Sequence, residues 1–201
     1  ETQGDYNTVL GYQALTDQNG VNGEVHNTAV GYTAGNSITT GIRNTIVGSE
    51  SGDVGTTISG SVFVGQGAGG TVSTGNNNIA IGHEAMHGGT VTGDNNIAIG
   101  AHAGDAMTSA RENVMIGLNA GGAMTTGTEN IGIGVKALGV GTTTGTRNIA
   151  LGQFCLEDVT DGGYNVAMGA EAGRGITTGD ENILIGQSAG AQITDMSDAV
   201  F

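Results

Sequence analysis

Residues 76–89 read NNNIAIGHEAMHGG, and two incompatible structures can be drawn from them. His83-Glu84-Ala85-Met86-His87 matches H-E-x-x-H, which on a helix places two imidazoles on one face to hold zinc. Asn78-Ile79-Ala80-Ile81-Gly82 belongs instead to a phrase that returns along the whole chain. The phrase restarts at Asn7, Asn27, Asn44, Ser61, Asn78, Asn96, Asn113, Asn130, Asn148, Asn165 and Asn182. After a first step of 20, the steps are 17 or 18 residues. These eleven units are coils 1 to 11, with each start as position zero.

Gly holds position four in every coil: Gly11, Gly31, Gly48, Gly65, Gly82, Gly100, Gly117, Gly134, Gly152, Gly169 and Gly186. Position one is always β-branched and position three is always Val, Ile, Leu or Met. Position seven is Ala except at Ser51 and Cys155. A fixed short period of this kind marks a solenoid or stacked array. The alternating β-branched phrase predicts a strand, and a Gly every few residues excludes a helix. Gly at position four predicts a corner with positive φ or close backbone approach. A second corner is read where Gly precedes the next start by three (Gly41, Gly75, Gly93, Gly127, Gly145, Gly162, Gly179). The expectation is an all-β parallel β-solenoid, or β-roll, with two short strands per coil. The Asn starts would form an internal amide ladder, each bonding the coils above and below.

Composition narrows the function classes. Forty Gly without one Pro, and without a strict three-residue Gly period, exclude collagen. Nineteen carboxylates against five basic groups argue against nucleic acid or an anionic membrane as partner. No apolar run approaches the roughly 20 residues of a membrane span. One cysteine rules out an internal disulfide framework.

Position two holds Val9, Ala29, Ile46, Phe63, Ala80, Ala98, Met115, Gly132, Ala150, Ala167 and Leu184, none of them polar. Positions one and three face the opposite side. A strand apolar on both faces is buried on both. So short a coil can cover one face with its own chain, and cover for the other is expected from further copies in a homo-oligomer.

NTAVGYTAG (27–35) and NIAIGAHAG (96–104) resemble the repeats of trimeric fibre proteins. Runs of N-T-A-V-G-Y-x-A are common in phage tail fibres, and the YadA-like head of trimeric autotransporter adhesins repeats an S-V-A-I-G phrase. The resemblance covers residues 7–190. It implies a homotrimer of parallel β-rolls used for attachment to a surface. A longer repeat, and Asn rather than Ser at the start, set the chain closer to the fibres than to the adhesin heads.

Other motifs fold into the repeat. In a coil, His83 and His87 would lie too far apart for one zinc, and Glu84 would neighbour His102 on the next coil. Gly65-Gln66-Gly67-Ala68-Gly69-Gly70 matches G-x-G-x-x-G, but no helix follows to bind a dinucleotide. Cys155 replaces a small interior residue, a structural role for a thiol. Asp53, Asp94 and Asp180, near corners, are weak ion candidates. No catalytic residue, metal site or cofactor is assigned. Thr pairs such as Thr39-Thr40, Thr125-Thr126 and Thr177-Thr178 raise an ice-binding face, although ice-binding arrays want T-x-T. Candidate receptor contacts are Tyr12, Tyr32, His83 and Phe154, with Tyr12 and Tyr32 placed to stack on a sugar.

The domain expectation is a lead-in at 1–6, eleven repeats over 7–198 and the start of a twelfth at 199–201, spanning on the order of 50 Å. The functional expectation is a non-enzymatic, extracellular segment of a trimeric attachment fibre, shaft or head, on a phage tail or bacterial surface. It would contact itself and a surface glycan or other receptor. The alternative is a monomeric β-helix that binds ice or a polysaccharide.

Overall fold

The computed structural model describes residues 6–19, 23–141 and 144–201; residues 1–5 of the expected lead-in lie outside them. Each coil supplies one three-residue strand at positions one to three, from Thr8–Leu10 in coil 1 to Ile183–Ile185 in coil 11. The eleven strands pair in chain order into a single parallel sheet. Register follows the repeat: Ile79 faces Ile97, Ala80 faces Ala98 and Ile81 faces Ile99. The protein is a parallel β-solenoid, and no helix occurs among the described residues.

The expected second strand does not form. Positions six and eight are left-handed in every coil, with φ between 48 and 66°. A chain left-handed at every second residue cannot extend into a strand. This segment turns, yet it still stacks by hydrogen bonding: Gly69 N–H donates to Ala85 O at 2.8 Å, and Gly104 N–H to Ala120 O at 2.9 Å. Backbone groups therefore find partners from coil to coil without a second sheet.

Position two points inward. From Ala29 in coil 2 to Leu184 in coil 11, every position-two side chain is fully buried, Gly132 having none. Positions one and three point out of the solenoid. The core is filled by a rule that links position two to positions eight and eleven. Where a large position-two side chain is buried (Ile46, Phe63, Met115, Leu184), position eight is Gly: a Cβ on Gly69 would lie 2.6 Å from the Phe63 ring, and one on Gly121 would lie 2.7 Å from Met115 Sδ. Where position two is Ala or Gly, Met86, Leu138 or Leu156 enters from position eight, each fully buried. In coils 2, 6 and 10, where position two is Ala and position eight is Gly, Ile38, Met107 and Ile176 enter from position eleven.

The starts form a continuous buried ladder. Asn130 N–H donates to Asn113 Oδ1 at 2.9 Å, and Asn130 Nδ2 donates to the same oxygen at 3.2 Å. The amide also closes its own coil, with Asn113 Nδ2 donating to Gly127 O at 2.8 Å. Every polar atom of the side chain is thus satisfied inside the core. At Ser61 the hydroxyl takes over, accepting the Asn78 N–H at 3.2 Å. The ladder runs on to the chain end, where Ala199 N–H donates to Asn182 Oδ1 at 3.1 Å and Val200 bridges Ile183.

Glycine at position four answers two demands at once. Gly82 has φ 131°, and a Cβ there would stand 2.7 Å from the Gly100 carbonyl oxygen of the next coil. The corners stack so closely that only a hydrogen fits between them.

Candidate functional site

The sheet's outer face carries two columns of side chains, positions one and three. Nineteen of those 22 side chains are apolar, the exceptions being Thr8, Thr28 and Thr45. Many are more than a third exposed, among them Val47, Val64, Ile133, Met168 and Ile185. The result is one flat apolar surface running the length of the solenoid, and a contiguous patch of that kind marks a contact surface. Sequence reasoning predicted an uncovered apolar face; the structure identifies it as positions one and three.

Two polar margins flank this face. On one side lies the residue before each start, left-handed in all described coils. There Tyr6 stacks on His26 at 5.2 Å, and Arg147 bridges Glu129 and Tyr164. The bond from Arg147 holds the exposed Glu129 carboxyl below its ordinary range and raises the guanidinium in turn. On the other side are positions five and six, just past the glycine corner, where all four receptor candidates fall. Tyr12 and Tyr32 stack on each other, centroids 5.6 Å apart, and stay 65% and 52% exposed. Their outer ring faces remain available to an apolar or sugar face. Phe154 lies between two cations, with Lys136 Nζ at 6.0 Å and Arg174 at 5.3 Å from the ring centre. Arg174 Nε also stands 2.8 Å from Glu157 Oε2, a buried oxygen that the pair approaches without hydrogen-bond alignment.

His83 belongs to a different group from the one its motif implied. The ligand atoms that converge are those of His83, Glu84 and His102. His102 Nδ1 is 3.4 Å from Glu84 Oε2, and His83 Nε2 is 3.9 Å from Glu84 Oε1. His87 is not part of this group; its ring packs over Gly67 and Gly70 of coil 4. Nearby Asp53 is pushed above the ordinary aspartate range, mainly by burial, with the Glu50 charge adding to the shift against a backbone hydrogen bond and His87.

The remaining sequence candidates have structural partners. Asp94 Oδ1 accepts the Asn76 N–H, and Asp180 Oδ1 the Gly163 N–H, each at 2.6 Å. Thr39, Thr108, Thr160 and Thr177 donate their hydroxyls to a carbonyl of the next coil at 3.0–3.1 Å. Cys155 is buried, and desolvation pushes its thiol up to about 12. Gly65 to Gly70 are a corner and a turn, with no helix after them. The cation sandwich at Phe154 was missed in the sequence because its three members lie on three successive coils. Comparison of the chain with protein-family models, curated proteins and solved structures finds no significant match.

Proposed function

We propose that this chain is a structural and adhesive segment of a trimeric attachment fibre, acting as shaft or head without catalysis. The observation that carries the reading is the apolar outer face of the sheet. A single solenoid leaves it half-buried to exposed along its length, while three parallel copies would bury it in a common core. Burial stabilises by about 25 cal/mol per Å² of apolar surface, so a face this long would supply a large association energy. The trimeric stoichiometry comes from the resemblance to tail-fibre and YadA-like repeats. The exposed Tyr12–Tyr32 pair on the margin is where a surface glycan would be met. Extracellular display, on a phage tail or a bacterial surface, follows from the same reading.

The ice-binding alternative is less well supported. Thr39 and Thr177, the less exposed members of two of the pairs, already donate their hydroxyls to carbonyls of the next coil.

Ile133→Lys tests the proposal. Ile133 is 40% exposed in one chain, so a charge there is tolerated by a lone solenoid but must be buried in a trimer. The expected outcome by light scattering is loss of a particle of about 59 kDa, three times the 19.8 kDa chain, with the circular dichroism of the fold retained. An unchanged oligomer mass in the variant counts against the face as the interface.

A further inference from the structure

We propose that His83, Glu84 and His102 form a site for a zinc-class divalent cation that staples coil 5 to coil 6. The inference stands on one chain and does not depend on the trimer. Glu84 and His102 both occupy position six, and because the coils stack in register, equal positions become neighbours in space. Their backbones are fixed: Glu84 N–H donates to Gln66 O at 2.9 Å and His102 N–H to His83 O at 3.0 Å. Both residues are left-handed, with φ of 52° and 54°, as position six is throughout, so the scaffold aims them. The two imidazoles meet edge to face, centroids 5.5 Å apart, with the carboxylate shared between them.

The chemistry of the set selects the ion. Two imidazole nitrogens and one carboxylate oxygen suit zinc, cobalt, nickel or copper, whereas calcium and magnesium want oxygen alone. At metal–ligand distances of about 2.0–2.2 Å, tetrahedral ligands stand about 3.3 Å apart. The His102–Glu84 pair already has that spacing at 3.4 Å, and all three ligand atoms lie within 4.8 Å of one another. The side chains are one-third to one-half exposed, free to close the remaining gap while the backbone stays fixed. Water, or a group from another molecule, would take the open fourth position. A net charge of −14 raises the local concentration of cations around the solenoid.

The motif H-E-x-x-H and this site make opposite claims about His87, which gives the test its discrimination. Zinc chloride is titrated into the full chain by calorimetry, and thermal unfolding is followed with zinc or magnesium present. The expected result is one zinc per chain and an unfolding midpoint raised by zinc but not by magnesium. His102→Ala, His102→Gln and Glu84→Gln each weaken zinc binding at least tenfold, while His87→Ala and His26→Ala bind as the parent does. Circular dichroism confirms that each variant is folded, and the two His102 variants guard against misfolding of one. Absence of saturable zinc binding, parent-like affinity in both His102 variants, or loss of binding in His87→Ala overturns the proposal.

Discussion

Asn113 shows how much one residue carries in this fold. Its amide accepts two hydrogen bonds from Asn130 and donates to Asn96 Oδ1, Arg111 O and Gly127 O. Asn113→Ala leaves the Gly127 carbonyl and the Asn130 N–H buried without these partners, at about 1–3 kcal/mol each, so a loss of about 2–6 kcal/mol is expected in guanidinium unfolding. Asn113→Ser should cost less, because Ser61 already fills the same place in coil 4 and keeps the bond to the next coil. The position-four glycines offer an internal control. Gly82→Ala meets the next corner, while a Cβ on Gly186 has nothing within 4 Å. Both variants carry the left-handed penalty of about 1–2 kcal/mol, but only Gly82→Ala adds overpacking of about 1–3 kcal/mol. Equal losses in the two variants, measured by the same unfolding, would show that spacing between coils does not select glycine. Both features were legible in the sequence, since a residue whose partner is its own copy must repeat.

At the scale of the coil, sequence reading succeeded for the strand and failed for the segment after it. The strand repeats in chemical type because its side chains face either the core or one flat surface. Position six does not: Gln13, Glu50, Lys136 and Phe154 share a left-handed backbone but no side-chain character, because their side chains are at least partly exposed and the backbone bonds set the conformation. A composition-based reading has no signal there. Position eight is glycine in seven coils, a visible hint, but Leu15, Met86, Leu138 and Leu156 adopt the same φ and disguise it. The presence of Met86, Leu138 and Leu156 follows from volume sharing with Ala80, Gly132 and Ala150 at position two, a relation between positions that no single column reveals. Met115 and Gly121 test it by a double-mutant cycle. Met115→Ala opens a cavity at about 2–5 kcal/mol, and Gly121→Leu overpacks at about 1–3 kcal/mol. The double variant copies the Ala150–Leu156 arrangement of coil 9, so its loss should be smaller than the sum of the two. Additive losses would mean that the two positions do not share one space. The same stacking logic brought Glu84 beside His102, a neighbour relation readable once the coils are aligned by position, whereas the approach of His83 Nε2 to Glu84 was not.

For the whole molecule, stability is close to a sum over coils and the contacts between them. Every strand pairs only with its sequence neighbours, and among the described residues outer-face side chains such as Val47, Val64, Ile133 and Ile185 stay exposed. That face is the sole long apolar surface among the described residues, and its charged and aromatic margins bound it on both sides. Alternation alone separates position two from positions one and three, but sequence could not say which strand face turned inward. Turn geometry decides this, since the left-handed segment closes the coil over position two. The central claim is that the remaining face is sheltered by two further copies of the chain. Sedimentation equilibrium of the unmodified protein tests it most directly: a single species of about 59 kDa is predicted, and a single species of 19.8 kDa across the concentration range would contradict it.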